Sequence, residues 1–337
     1  VFYQYKLPFT IFSPHTVHPG SEIFKKHIGW FAAICRIVNG MKRFTAGAIG
    51  ARTTVFKTVR YDEITLQKYG ITTETLDLSE VFLRVRDIKP GTDEYMQKFN
   101  RLKLYTNWTG VPDEKLDMIS KVGVVLDRII DEYKLNCLAL RCWLEIQREL
   151  GISPCILLSE LNERGIPAAC ELDICTAIAM NALSLASGTP AACLDWNNNY
   201  GDNENKCIVF HCGPVAQSMM TAKGRIIEHP MFAKSYRPGC GWGCNTGRIA
   251  ESPMTFAGSK TEDGILSFYM GQGRFTGEPV EESFFGCAGV AEVAGLQDIL
   301  ITIGRKGFRH HVGMTFGHVA RLLEEAFNTY LGYDVIR

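Results

Sequence analysis

From Pro112 onward the chain alternates between two hydrophobic periods, and that alternation restricts its architecture more than any other feature. Leu116, Ile119, Val122, Leu126 and Ile129 recur at three- and four-residue steps, which is one face of a long helix. "CLALRCW" follows with the unbroken apolarity of a buried strand. "SPCILLSELNERG" then returns to a helical period ending in Gly165, and "PAAC" reads as the next strand. A small-residue helix, "ELDICTAIAMNALSLASG", and a further strand, "PAACL", complete the series. Upstream, "HIGWFAAICRIVNGMKRF" and "YDEITLQKYG" predict helices, and "TAGAIGAR" and "ITTETLDL" predict strands. Strands separated by helices are joined by crossovers, so the expected architecture is a parallel α/β sheet.

After about residue 200 the texture changes. Long helical periods vanish, glycines crowd into "RPGCGWGCNTG" and "GQGRFTGEP", and short strands such as "GILSFYM" appear before a closing helix at "GHVARLLEEAFNTYLG". The fold class expected is therefore α/β: a parallel-sheet, Rossmann-like domain over 1–190, then a β-rich, barrel-like domain over 191–337. A chain of 337 residues can bury two such cores. Its formal net charge is zero, which leaves no electrostatic footprint for nucleic acid or an anionic membrane. The longest weakly charged stretch, Ile174 to Leu194, is interrupted by Asn181, Gly188 and Pro190 and does not read as a membrane span. The twelve cysteines lie mostly inside apolar runs, as expected of reduced thiols in a cytoplasmic protein without disulfides.

Two carboxylates stand where strands end. Glu171 follows "PAAC" and Asp195 follows "AACL". Open α/β sheets bind ligands outside the carboxyl ends of their strands, and a right-handed crossover brings consecutive ends to one edge. Glu171 and Asp195 are thus expected to converge; the competing reading is a helix-cap Glu and a turn Asp. His211 ends the apolar run "CIVF" before a Cys-Gly-Pro break, and "GFRHHVGMTFGH" supplies His310, His311 and His318. Neighbours on a strand point to opposite faces, so only one of His310 and His311 is expected at a common site. Such an oxygen and nitrogen set suits Mn²⁺, Co²⁺ or Zn²⁺, with Mn²⁺ favoured by the carboxylates. A rival set, Cys207, Cys212, Cys240 and Cys244, has roughly the spacing of a thiolate zinc site. A glycine-rich loop with reduced thiols is the simpler account of it. Gly47, Gly50 and Asp77 form an incomplete dinucleotide fingerprint, read as a tight strand-to-helix turn.

Taken together, "GIPAACELD", "CLDWNNNYGD", "VFHCGP" and "GFRHHVGM" resemble the L-fucose isomerase and L-arabinose isomerase superfamily, most of all its fucose isomerase-like members. The resemblance implies an aldose–ketose isomerase acting on a free fucose- or arabinose-like sugar through an enediol. It also implies a divalent metal, usually Mn²⁺, held by Glu171, Asp195 and His311, with His211 where the arabinose branch adds a ligand. Glu171 and Asp195 would be the catalytic pair; aromatic faces and amides suit sugar C–H and hydroxyl groups, which makes Trp143, Trp196 and Asn197 candidate sugar contacts, with a core or turn role the alternative for each. A homo-oligomer, trimer or hexamer, is implied as well; members of that family are usually longer, with a further domain ahead of the region matched here. The alternative is a metal-dependent lyase or hydrolase using the same site on a carbohydrate-derived substrate.

Overall fold

The computed structural model describes residues 1–336. Four strands, β1 (Phe44–Ile49), β2 (Ile71–Leu76), β3 (Cys137–Leu140) and β4 (Ala168–Ala169), form a parallel sheet in the order β2-β1-β3-β4. The long helix runs Asp113–Tyr133 and buries Leu116, Ile119, Val122, Leu126 and Ile129, the stripe its periodicity marked. Lys134 closes it in the left-handed region. Two further helices, Leu78–Arg86 and Asp93–Tyr105, have no counterpart in the sequence reading. Asp77 caps the first, its carboxylate accepting from the Ser79 amide, so its role there is structural. The glycines of "TAGAIGAR" do not lead into a helix. Gly50 turns at φ +93°, and the chain crosses an extended connection to Asp62 before the helix Glu63–Lys68 begins.

The remaining strands are β5 (Ala191–Asn199), β6 (Lys206–His211), β7 (Arg225–Glu228), β8 (Trp242–Arg248), β9 (Ser252–Glu262), β10 (Ile265–Phe275), β11 (Cys287–Glu292), β12 (His311–Phe316) and β13 (Asp334–Ile336). They form one sheet ordered β13-β10-β9-β12-β5-β6-β11-β8-β7. A further pairing, Arg274 with Glu292 and Phe275 with Ala291, joins β10 to β11 and closes six strands into a barrel. Leu194, Val209, Phe256, Phe275, Ala291 and Met314, one from each barrel strand, pack into a single core. The fold class is α/β, a parallel sheet with helices followed by a β-rich barrel, as expected. No helix among the described residues is long and apolar enough to cross a membrane.

One helix joins the two layers. Ile174–Ser187 is almost wholly buried and carries Ala177, Ala179 and Ala182, whose small side chains let sheet and barrel approach it closely. Ser259 of β9 donates to its Cys175 carbonyl. Strand alternation then divides β5 by face: Ala191 and Cys193 pack on this helix, whereas Ala192 and Leu194 enter the barrel core. By the same alternation Asp195 faces the parallel sheet. That turns it towards His310 and His311, which Glu171 also approaches.

Candidate active site

Glu171 reaches the site from the end of β4 by a distorted route. Glu171 and Leu172 both lie in the left-handed region, at φ 59° and 62°. Each such residue costs about 1–2 kcal/mol for a side chain with a Cβ. Strain of this kind is kept where the surrounding structure holds a side chain in a required place. Asp195 arrives differently from expected. It sits within β5, which continues to Asn199, and β5 belongs to the barrel. The convergence therefore comes from a parallel-sheet end meeting a barrel wall, not from two neighbouring ends of one sheet. On β12, His311 is the direct cross-strand partner of Asp195.

The side chains meet closely. His311 Nε2 lies 3.4 Å from Glu171 Oε2 and 3.7 Å from Asp195 Oδ1. His310 Nε2 lies 3.6 Å and 3.9 Å from the same two oxygens. Both histidines thus face the carboxylates, against the expectation of one. The reason is local: β12 begins at His311, so His310 precedes the pleat and is not bound by its alternation. Its ring stacks on Phe56 at 5.9 Å, and its Nδ1 is 2.9 Å from the Thr58 hydroxyl.

Glu171 Oε2 and Asp195 Oδ1 are buried without a hydrogen-bond partner. Two unpaired carboxylate oxygens facing one point are costly unless a cation or donor fills it. One donor atom each from Glu171, His310 and His311 lies within 4.8 Å of the others, a group that could hold one divalent ion. Asp195 Oδ1 stands near both histidines but outside that group, so the donors that could share one ion are one oxygen and two nitrogens, a set open to several divalent metals.

Behind His311 stands a group the sequence reading missed. Asp173 is fully buried, and its Oδ2 accepts from His311 Nδ1 at 2.9 Å, which leaves the Nε2 lone pair free to face the carboxylates. Asp173 also caps the helix Ile174–Ser187 through the Thr176 amide and hydroxyl. The buried Arg309 guanidinium is 3.0 Å from its Oδ1. Burial pushes the Asp173 carboxyl up, but Arg309 and His311 outweigh it and hold the group well below the ordinary carboxylate range. For His311 burial favours the neutral ring, yet the Asp173 hydrogen bond and the Glu171 and Asp195 charges raise its pKa. The motifs "ELD" and "RHH" contained these residues: a carboxylate two positions after Glu171, and an arginine directly before the histidine pair.

His211 lies against His311, within a group with Cys193 whose donor atoms are all within 4.8 Å of one another. Its Nδ1 accepts the Cys212 amide at 2.9 Å, because a backbone N–H can only donate. The neutral ring therefore carries its proton on Nε2, the atom 3.4 Å from His311 Nε2. In that neutral form His211 presents an N–H to the pocket; burial favours that form, but the neighbouring Cys212 outweighs it and raises the His211 pKa to about 10. His318 lies beyond the far end of β12 and bonds Gly273 O.

Of the expected sugar contacts, Trp143 packs edge-on against Phe56 at 5.3 Å, one ring away from His310. Trp196 is turned the other way: its Nε1 donates to Tyr269 and its ring meets Phe256 beside the barrel core, because it alternates with Asp195 along β5. Asn197 is exposed at a bulge in β5. The four cysteines of the rival zinc reading part company. Cys212 lies 3.3 Å from Cys155, and Cys240 bonds the Phe232 carbonyl. All twelve cysteines are free.

Residues 209–337 match the family model of the L-fucose isomerase C-terminal domain. A sulfoquinovose isomerase of Priestia aryabhattai is 25% identical over 296 residues, covering 87% of this chain and 64% of that protein. Another from Alkalicoccus urumqiensis is 25% identical over 203 residues, with 60% and 45% covered. A third, from Clostridium sp. (strain MSTE9), is 23% identical over 269 residues, with 77% and 56% covered. The chain thus spans less than two thirds of the length of these relatives. The likeness to the L-fucose isomerase family, first read from four short motifs, is shown by these matches.

Proposed function

We propose that the chain is a metal-dependent aldose–ketose isomerase acting on a free sugar through an enediol. The observation that carries this is the pair of buried, unpartnered oxygens, Glu171 Oε2 and Asp195 Oδ1, facing the Nε2 atoms of His310 and His311. Glu171, His310 and His311 would hold a divalent ion, Mn²⁺ first, with Asp195 near both histidines, and when bound it supplies Lewis-acid stabilisation of charge developing on the sugar oxygens. Glu171 is the base: it takes the proton from C2 and returns it to C1, while the O2 hydroxyl proton passes to O1. Asp195 provides the second negative charge of the pocket and fixes the sugar by its register opposite His311. His211 offers its Nε2–H to the oxygen that gathers charge. Asp173 keeps the His311 lone pair directed inward.

The names of the relatives support sulfoquinovose as the first sugar to try, ahead of L-fucose and L-arabinose. The twelve free thiols support a reducing, cytoplasmic setting. Exposed Phe2, Tyr3, Tyr5, Ile11, Ile23 and Phe31 support an assembly of several copies. Incubation of the protein and Mn²⁺ with these aldoses should yield the matching ketoses. A shortened or hydrolysed product would transfer the site to a lyase or hydrolase.

Metal binding should show a definite pH dependence. A proton and a metal compete for His311 Nε2, and the apo site raises the affinity of that nitrogen for the proton. In the metal-free fold the imidazolium–carboxylate attraction is fully present below the ordinary His value of 6.5 and is lost as pH rises through the raised folded value. The metal-bound fold gains in the opposite direction. Mn²⁺ affinity measured by calorimetry should therefore tighten from pH 6 to pH 8, by up to about tenfold per unit while one proton is displaced. A pH-independent affinity would remove His311 from the ligand set.

A further inference from the structure

Four of the free cysteines come from four separate elements and meet behind the candidate active site. Cys142 follows β3, Cys155 opens the helix Cys155–Glu163, Cys170 directly follows β4, and Cys212 directly follows β6. Cys170 Sγ lies 2.9 Å from Cys142 Sγ, and Cys212 Sγ lies 3.3 Å from Cys155 Sγ. The two pairs are joined in the middle. Cys170 and Cys212 belong with His211 to one group whose donor atoms all lie within 4.8 Å of one another. None of the four cysteines is more than 7% exposed. His211 Nδ1 already accepts the Cys212 amide, so sulfur is the donor this cluster has to offer.

A thiol is a weak donor and a weak acceptor, so one buried S–H gains little from another. Nothing in the strand or helix periods brings these four sulfurs together either, since each stands on a different element. Deprotonated, the same atoms are what a soft cation takes. Thiolates select thiophilic ions such as Zn²⁺ or Cu⁺, whereas carboxylates suit harder ones. Glu171, His310 and His311 form a mixed oxygen and nitrogen group, and no carboxylate belongs to the group of Cys170 and Cys212. The two sets of donors therefore differ in chemistry although they are neighbours in space.

We propose that Cys170 and Cys212, with Cys142 and Cys155 on either flank, form a second metal site, specific for a thiophilic ion of the Zn²⁺ class. Metal–sulfur bonds form as the ion enters, and the thiol protons leave to solvent. The ion ties the end of β4 in the parallel sheet to the end of β6 in the barrel. Its effect on the neighbouring pocket is positional: Cys170 immediately precedes Glu171, and Cys212 immediately follows His211. The site stands on the sulfur geometry alone and does not depend on the isomerase reading.

Because the sulfurs are buried, the full chain is produced in medium supplemented with Zn²⁺ or Co²⁺, so that the ion is present as the fold closes. X-ray absorption of the Zn²⁺ form should show sulfur neighbours at about 2.3 Å. The Co²⁺ form should show an intense near-ultraviolet thiolate-to-metal band. Cys170→Ser and Cys212→Ser should each abolish that band, whereas His211→Gln and Glu171→Gln should keep it, since neither removes a sulfur. A zinc shell of nitrogen and oxygen only would overturn the site and leave four reduced thiols packed as core. That measurement uses the unaltered chain, so a serine variant that fails to fold cannot obscure it. A band that survives both serine substitutions would overturn the assignment to these sulfurs. A band lost in Glu171→Gln would assign the ion to the carboxylate–histidine pocket and overturn the second site.

Discussion

Glu171→Gln should lower isomerase turnover by roughly 10²–10⁴, the range for loss of a general base, while the metal-free protein melts at the same temperature or higher. Both halves follow from the geometry. Gln keeps the shape of the side chain but cannot take a proton from carbon. Glu171 Oε2 accepts no hydrogen bond in the fold, so above the raised pKa of His311, where no imidazolium attraction is lost, the amide forfeits nothing and the metal-free melt should be compared there. Glu171→Gly sharpens the comparison. It should also abolish turnover, yet it removes about 1 kcal/mol of left-handed strain at φ 59°, and the metal-free melting temperature should rise. Near-normal turnover in Glu171→Gln would take Glu171 out of the mechanism. Loss of the metal-free fold in either variant would make it a structural residue.

The contrast between these residues and the rest of the fold shows what local pattern encodes. The helix Asp113–Tyr133 was readable from its unbroken apolar stripe, and Cys137–Leu140 from a run buried at every position. The helix Asp93–Tyr105 was not, because its buried face includes Lys98, only 3% exposed. Lys98 is neutralised by Asp127 at 2.6 Å and Glu160 at 3.0 Å, partners far away along the chain. A buried ion pair looks like a solvated face until both partners are placed. A barrel-like domain was legible from the texture after residue 200, but the two residue pairs between β10 and β11 that close it were not, since no periodicity announces them.

At the site, the convergence of Glu171 and Asp195 was readable from strand ends, but its cause was not. The register that sets Asp195 opposite His311 is a long-range pairing of β5 with β12. The role of His211 depends on one backbone amide, that of Cys212, choosing its Nδ1. His310 joins because β12 starts one residue later than its sequence suggests. In each case a pairing or hydrogen bond decided what residue type alone left open.

The largest effect on stability is expected at Asp173. Asp173→Asn leaves the Arg309 guanidinium 4% exposed and without its counter-charge, and breaking a buried pair in this way costs about 3–5 kcal/mol. The amide also weakens the orientation of His311, so Mn²⁺ affinity should fall by about 10- to 100-fold, as for other losses of a hydrogen bond behind a metal ligand. Two measurements separate these effects from a simple packing defect. First, the double variant Asp173→Asn with Arg309→Met removes the stranded charge and should recover much of the stability but none of the metal affinity. Second, the deficit should depend on pH in one direction. The folded pKa of Asp173 is depressed, so its contribution is fully present above the ordinary Asp value of 3.8 and is lost as pH falls through the folded value. Urea midpoints of wild type and Asp173→Asn should lie far apart at pH 7 and draw together as the solution is acidified below pH 4. If the gap were constant across that range, the ionised carboxylate would not be the source of the stability, and the buried pair with Arg309 would lose its place in the account of the site.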